Sequence, residues 1–272
     1  DGGLIKDGAP KDIIHRYERM QTRVFENEFN GVQYVADVIC RMIQNHNESA
    51  SARDIYEELP PFVLGLTTGR TPLGLYRELV RRYEEGKVSF KHVAVYSLDE
   101  FYPIRRTDQQ SRNYRIHDEF LKHIDIAPEN IHIPDGTVPQ SNISEYCAEY
   151  EKSIRKIDLM IIGVGENGQI GFNEPGSYAK SVTRMVQLSY QSRKMQAGMF
   201  FGVENTPKMA ITMGLNTVMS SKRIVLMAWG EDKASVVAKV VEGEATRLIP
   251  ASLLQNHPNI EAVVDDPAAD GL

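Results

Sequence analysis

Residues 158–174 read D-L-M-I-I-G-V-G-E-N-G-Q-I-G-F-N-E, followed by Pro175 and Gly176, and no other stretch narrows the fold as far. The apolar run 159–162 is short and unbroken. That is the pattern of a strand buried on both faces, as in parallel sheets, rather than of a half-exposed alternating strand. It empties into a loop carrying Gly163, Gly165 and Gly168, which allow a sharp turn and a close backbone approach to a ligand. Asn167, Gln169, Asn173 and Glu174 crowd the same turn with polar side chains. Open α/β sheets bind their ligands where a buried strand ends in such a loop. The spacing Gly163-x-Gly165-x-x-Gly168 also matches a dinucleotide fingerprint. That motif opens a helix after its last glycine, whereas Asn-Glu-Pro-Gly stops one here, so nucleotide binding is not expected.

The rest of the chain repeats the unit of strand, polar turn and helix. A strand is expected over 22–26 and an amphipathic helix over 30–45, where Val32, Val35, Ala36, Ile39 and Ile43 recur at helical spacing. Residues 51–58 suggest a short helix or turn before Pro60-Pro61. A second buried strand, 62–66, leads into Thr67-Thr68-Gly69-Arg70-Thr71-Pro72 and a helix through Leu75, Leu79 and Val80. Pro72 suits the first turn of that helix, and the turn before it offers hydroxyls and backbone N–H groups to an anion at the positive end of the helix dipole. The alternative for this turn is a plain threonine-rich cap. A third strand, 93–98, ends in Asp99-Glu100. Neighbours on an extended chain point opposite ways, so one of these carboxylates is expected to face a ligand and the other to be structural. Helices are expected over 110–123 and 143–154, with 131–133 a short extended piece, and the chain is expected to be irregular over 175–191. Residues 207–219 read as mixed helix and strand, 223–229 as a buried strand, 230–241 as the opening and body of a helix, 249–255 as a short helix and 262–264 as a last strand. This alternation predicts an α/β fold: a three-layer αβα sandwich with a mainly parallel, Rossmann-like sheet. Residues 1–20 form a polar lead-in, and 21–272 a single domain.

Composition excludes several classes of function. Of 272 residues, 42% are hydrophobic and 25% charged, which suits one globular domain. The formal net charge is −6 and no basic stripe is visible, so no nucleic-acid partner is expected. No apolar run approaches the ~18 residues of a membrane span, and the first residues lack a signal-peptide pattern. Cys40 and Cys147 stand far apart and the seven histidines form no ligand cluster, so no metal site is expected. A cytoplasmic location with reduced thiols fits this pattern.

Four ordered blocks carry a resemblance to the glucosamine-6-phosphate deaminase (glucosamine/galactosamine-6-phosphate isomerase) family. They are L-G-L-T-T-G-R-T-P-L-G-L-Y at 64–76, V-S-F-K-H-V to L-D-E-F at 88–101, G-V-G-E-N-G-Q-I-G-F-N-E-P at 163–175, and P-K-M-A-I-T-M-G with the later G-E-D-K-A and V-E-G at 207–243. Together they span roughly 20–266. The last third is most similar to long bacterial versions, in which a deacetylase-like domain follows the deaminase-like one. The resemblance implies conversion of glucosamine 6-phosphate and water to fructose 6-phosphate and ammonia, without a cofactor. The sugar ring opens, a proton moves from C2 to C1, and the amine leaves. It implies that Asp99 carries that proton, that Glu174 belongs to the ring-opening relay, and that Thr67, Thr68, Gly69, Arg70 and Thr71 cradle the phosphate with Lys233. Homo-oligomers occur in the family, so a homo-oligomer is one expectation.

The chain also departs from the family pattern. Asn167 stands where the family has Asp, and Gln169 where it has the His that opens the ring. An amide hydrogen-bonds but does not shuttle a proton near neutral pH. The family's phosphate-binding Arg falls near Gly198 and Met199, with Arg193 the nearest arginine, and Arg70 replaces a small residue. These changes admit two readings: an attenuated amino-sugar phosphate deaminase, or a non-catalytic sugar-phosphate-binding domain. Amides introduced to trap a ligand would look the same.

Overall fold

The computed structural model describes residues 5–6, 9–10, 17–51 and 59–272. The short helix or turn expected at 51–58 lies outside the described residues except for Ser51, and so does most of the polar lead-in. In chain order the elements are β1 (Ile5–Lys6), β2 (Ala9–Pro10), β3 (Gln21–Phe25), α1 (Glu28–Ser51), β4 (Phe62–Leu66), α2 (Leu73–Glu84), β5 (Val93–Ser97), β6 (Asp99–Tyr102), α3 (Arg112–Glu119), β7 (Ile131–His132), α4 (Ile143–Ser153) and β8 (Leu159–Ile162). After these come β9 (Arg184–Gln187), α5 (Tyr190–Gln196), β10 (Met209–Thr212), α6 (Leu215–Met219), β11 (Ile224–Ala228), α7 (Ala234–Val241) and β12 (Ile260–Asp265).

The main sheet has the order β2-β1-β3-β12-β11-β8-β4-β5-β7. Every neighbouring pair is parallel except β1 with β2. Its central strands are buried along their whole length, as their unbroken apolar runs require. Alternate residues serve two separate cores. Leu64, Leu159, Ile161, Val225 and Met227 pack against α1 and α2. Val63, Met160, Ile162, Leu226 and Ala228 pack against α7 and α6 on the other face. This is the expected three-layer sandwich. The chain winds outward from β4 through β5 to β7, and from β8 through β11 to β12 in the opposite direction. A crevice therefore opens at the C-terminal ends of β4 and β8, where the topology reverses.

The structure corrects several local expectations. Residues 175–191 are not irregular throughout. They contain β9 and the start of α5, and β9 joins β10 and β6 in a three-stranded antiparallel sheet. The R-M-V-Q sequence of β9 is half-exposed and lacks an apolar alternation, so its strand character comes from long-range pairing. The third strand breaks at Leu98: Ser97 ends β5 in the main sheet, and Asp99 opens β6 in the second. The helix over 110–123 ends at Glu119 and tightens to a 3₁₀ turn at 121–123. The segment at 249–255 is 3₁₀ rather than α. Helix α1 runs past 45 to Ser51. Among the described residues no helix is long and apolar enough to cross a membrane.

One packing contact links the fold to the crevice. The Trp229 indole lies on α1 at Gly31, where an added Cβ would come within 2.6 Å of the ring. The same indole donates to the Thr71 carbonyl at 3.0 Å. Alanine gains about 1 kcal/mol over glycine in a helix, but overpacking costs about 1–3 kcal/mol. Gly31→Ala is therefore expected to lower the urea midpoint, because an indole fixed at both ends has no easy way to yield. A midpoint equal to or above that of the native chain would show that it can.

Candidate active site

A threonine turn, a glycine-rich loop and one carboxylate meet at the crevice. They enclose a cavity of about 370 Å³ lined by Thr67, Thr68, Gly69, Arg70, Thr71, Asp99, Arg112, Arg115, Gly163, Val164, Gly165, Gln169, Gly171, Gln196 and Met199. The threonine turn leaves β4 at Leu66 and is pinned from two sides. The Tyr76 hydroxyl of α2 donates to the Thr67 carbonyl, and Trp229 holds the Thr71 carbonyl. Gly69 sits at φ +114°, a conformation that favours glycine. The Thr68 hydroxyl is buried with no hydrogen-bond partner, and Arg70 lies exposed at the mouth.

Asp99 and Glu100 divide as the alternation predicts. Asp99 is 3% exposed and lines the cavity, and its Oδ1 has no hydrogen-bond partner. Burial raises its pKa, and the nearby Arg112 guanidinium, with Nε 3.9 Å from Oδ1, opposes that rise. Glu100 points the other way and accepts from the backbone N–H groups of Phe101 at 2.8 Å, Arg112 at 2.9 Å and Asn113 at 2.9 Å. The structural carboxylate thus anchors the first turn of α3, the helix that delivers Arg112 and Arg115 to the cavity.

Gln169 is buried, with its amide oxygen unpartnered at the cavity wall. Its side chain fills the space over Gly165, where a Cβ would lie 2.4 Å from Gln169 Cγ. Asn167 is half-buried in the same turn and is not among the lining residues. Glu174 is engaged elsewhere: its carboxylate accepts from the Ser189 N–H at 3.2 Å, the Ser189 hydroxyl at 2.8 Å and the Ser192 hydroxyl at the start of α5. Lys233 donates to the Val164 carbonyl at 2.7 Å and braces the glycine loop from outside the lining, with burial lowering its pKa. The structure therefore gathers Thr67, Thr68, Gly69, Arg70, Thr71, Asp99 and Gln169 around one cavity, and leaves Asn167, Glu174 and Lys233 outside its lining.

Sequence reasoning misses Arg112, Arg115 and Gln196. Arg112 and Arg115 are detectable, since they lie three apart on the helix capped by Ser111 just after the carboxylate pair. Met199 occupies the wall near where the family pattern has a phosphate-binding arginine, and Arg193 instead donates to the Val203 carbonyl at 2.9 Å. Among the described residues no group of His, Cys, Asp and Glu side chains could hold a metal ion.

Residues 33–263 match the family model of glucosamine-6-phosphate isomerases/6-phosphogluconolactonase. The chain belongs to this family. It is 43% identical over 216 residues to glucosamine-6-phosphate deaminase 2 of Bacillus subtilis, a match covering 77% of this chain and 86% of the relative. It is 37% identical over 265 residues to a glucosamine-6-phosphate deaminase-like protein of Bacteroides thetaiotaomicron, covering 96% of this chain but only 39% of that longer relative. Among solved structures, a monomeric glucosamine-6-phosphate deaminase superposes with a TM-score of 0.83 at 34% identity, covering 93% of this chain and 100% of that one. The 6-phosphogluconolactonase of Leishmania guyanensis, at 19% identity and a TM-score of 0.67 over 92% of this chain and 98% of that one, shares the fold.

Glu100→Ala would leave two N–H groups at the head of α3, those of Arg112 and Asn113, and the Phe101 N–H of β6 without their acceptor. An orphaned buried donor costs about 1–3 kcal/mol, so a loss of about 2 kcal/mol or more in unfolding free energy is expected. Loss of that size with the cavity's ligand affinity intact would show that α3 does not depend on this anchor to present its arginines.

Proposed function

We propose that this chain acts on an amino-sugar phosphate as a deaminase/isomerase, with glucosamine 6-phosphate and water as reactants and fructose 6-phosphate and ammonia as products. The observation that carries the reading is the juxtaposition on adjacent strands. The threonine turn comes directly after Leu66 and Asp99 directly after Leu98, and the Leu98 N–H donates to the Leu66 carbonyl at 2.9 Å. A phosphate in the turn, with the Thr68 hydroxyl and the Arg70 guanidinium as donors, leaves the carbon chain extended along the cavity toward Asp99. There the carboxylate takes the C2 proton from the open-chain sugar and returns it to C1. Water then adds at C2 and ammonia departs. Burial favours this role, since a carboxyl with a raised pKa is a better base for a weak carbon acid. Gln169 offers its amide to a sugar hydroxyl without moving a proton.

Ring opening is the weak step in this reading. Gln169 does not titrate, Asn167 carries no charge, and the Glu174 carboxylate is already taken by Ser189 and Ser192. Open-chain sugar reaches the site by spontaneous opening, and turnover is slow. The same three facts favour the second reading, a sugar-phosphate-binding domain without turnover.

Ammonia release and calorimetric binding with glucosamine 6-phosphate separate the two. The first reading expects slow release, abolished by Asp99→Asn and raised about a hundredfold or more in Gln169→His/Asn167→Asp, the scale of one general acid–base group. Binding without release in the unmodified chain would make it a binding domain, and absence of binding would overturn both.

A further inference from the structure

Among the described residues, one buried cation of the cavity lining, Arg112, has no carboxylate within hydrogen-bonding distance. Arg112 is 8% exposed, and its guanidinium carbon lies 4.7 Å from the centre of the Phe101 ring and 5.5 Å from that of Phe172, which fix its plane. Its Nε has no hydrogen-bond partner, and the Asp99 oxygen 3.9 Å away is beyond hydrogen-bond reach. The cavity's other guanidiniums differ. Arg115 is paired with Glu119 at 3.2 Å, and Arg70 is exposed to solvent. Arginine keeps its proton when buried, and a buried charge is costly until an opposite charge meets it. Its forked donors suit a planar carboxylate in particular.

We propose that Arg112 is a second anion-binding point at the Asp99 end of the cavity, where a phosphorylated sugar acid, with phosphate in the threonine turn and a carboxylate at C1, binds in competition with the amino-sugar phosphate and is not turned over, because its C1 cannot accept the C2 proton. This rests on the reading that the turn holds phosphate. The two anchors then fix the ligand at both ends, with C2 beside Asp99 and the unpartnered Gln169 oxygen available to an amine or hydroxyl between them.

A matched pair of ligands tests the proposal: glucosamine 6-phosphate and its C1 carboxylate, 2-amino-2-deoxygluconate 6-phosphate. Calorimetry on the unmodified chain is expected to give about tenfold or more tighter binding of the sugar acid, the scale of a charged hydrogen-bonded contact. In Arg112→Met, which keeps an apolar stem between the two phenylalanines, the ratio of the two dissociation constants is expected to fall to about one. In Arg112→Lys, which keeps the charge and loses the fork, it falls partway. Near-ultraviolet circular dichroism checks that each variant is folded, and if the methionine variant is not, the lysine variant decides. Equal affinity for the two sugars in the unmodified chain, or a ratio that survives loss of the guanidinium, would overturn the proposal while leaving the phosphate reading intact. Failure of Thr68→Val to weaken either ligand would count against the phosphate reading instead.

Discussion

Two backbone hydrogen bonds of Leu98 hold the site together. Its N–H reaches the Leu66 carbonyl in the parallel sheet at 2.9 Å, and its carbonyl accepts from Met213 at 2.8 Å, just beyond the end of the antiparallel sheet. The side chain is buried against Gly171 in the glycine loop. The chain changes sheets at this residue, so Asp99 emerges into the crevice instead of continuing β5. Because extended neighbours alternate, the switch delivers one carboxylate to the cavity and the next to the head of α3. A one-residue slip would exchange them and put a helix anchor in the cavity.

The cavity wall inherits its precision from elements that do not touch a ligand. Tyr76 holds the threonine turn through the Thr67 carbonyl while its ring stacks on Phe120, at a centroid distance of 4.9 Å, just beyond the end of α3. Lys233 braces the glycine loop through Val164, and Trp229 ties Thr71 to α1. Each contact ends on a backbone carbonyl of a turn. Backbone carbonyls with fixed partners hold a turn in one conformation, which leaves the side-chain hydroxyls and amides of Thr68 and Gln169 oriented but unspent.

Legibility in the sequence tracks the range of the interaction. The strands 62–66, 93–97, 159–162 and 224–228 are runs of apolar residues whose burial on two faces is a local signal, and with the helices between them they suffice for the layer order. β9 and β6 are strands because β10 lies between them, and nothing in R-M-V-Q or D-E-F-Y announces that pairing. At the site the backbone turns are legible from glycine, proline and threonine, whereas the direction of long side chains is not. Glu174 lies two residues beyond the loop's apolar Phe172, but its carboxylate swings out to the two serines that begin α5. Lys233 stops at a carbonyl. The spacing of Arg112 and Arg115 on α3 is legible, but the burial of Arg112 is not, since it depends on the ring faces of Phe101 and Phe172 from other elements.

The amide at position 169 and the guanidinium at 112 are best understood together. A histidine that opens a sugar ring must gain and lose a proton in place, and the protonated imidazole would add a cation to a cavity already lined by Arg70, Arg112 and Arg115. Burial and like charge both disfavour that protonated form. Glutamine avoids the conflict: it keeps a hydrogen-bonding group over Gly165 and places no second proton-exchanging side chain beside Asp99, the one carboxylate among the lining residues. On the proposed reading, proton transfer then falls to that single buried group, and the surrounding positive charge serves to hold anions. A site of this kind discriminates among ligands more by where their negative charges lie than by how readily their rings open.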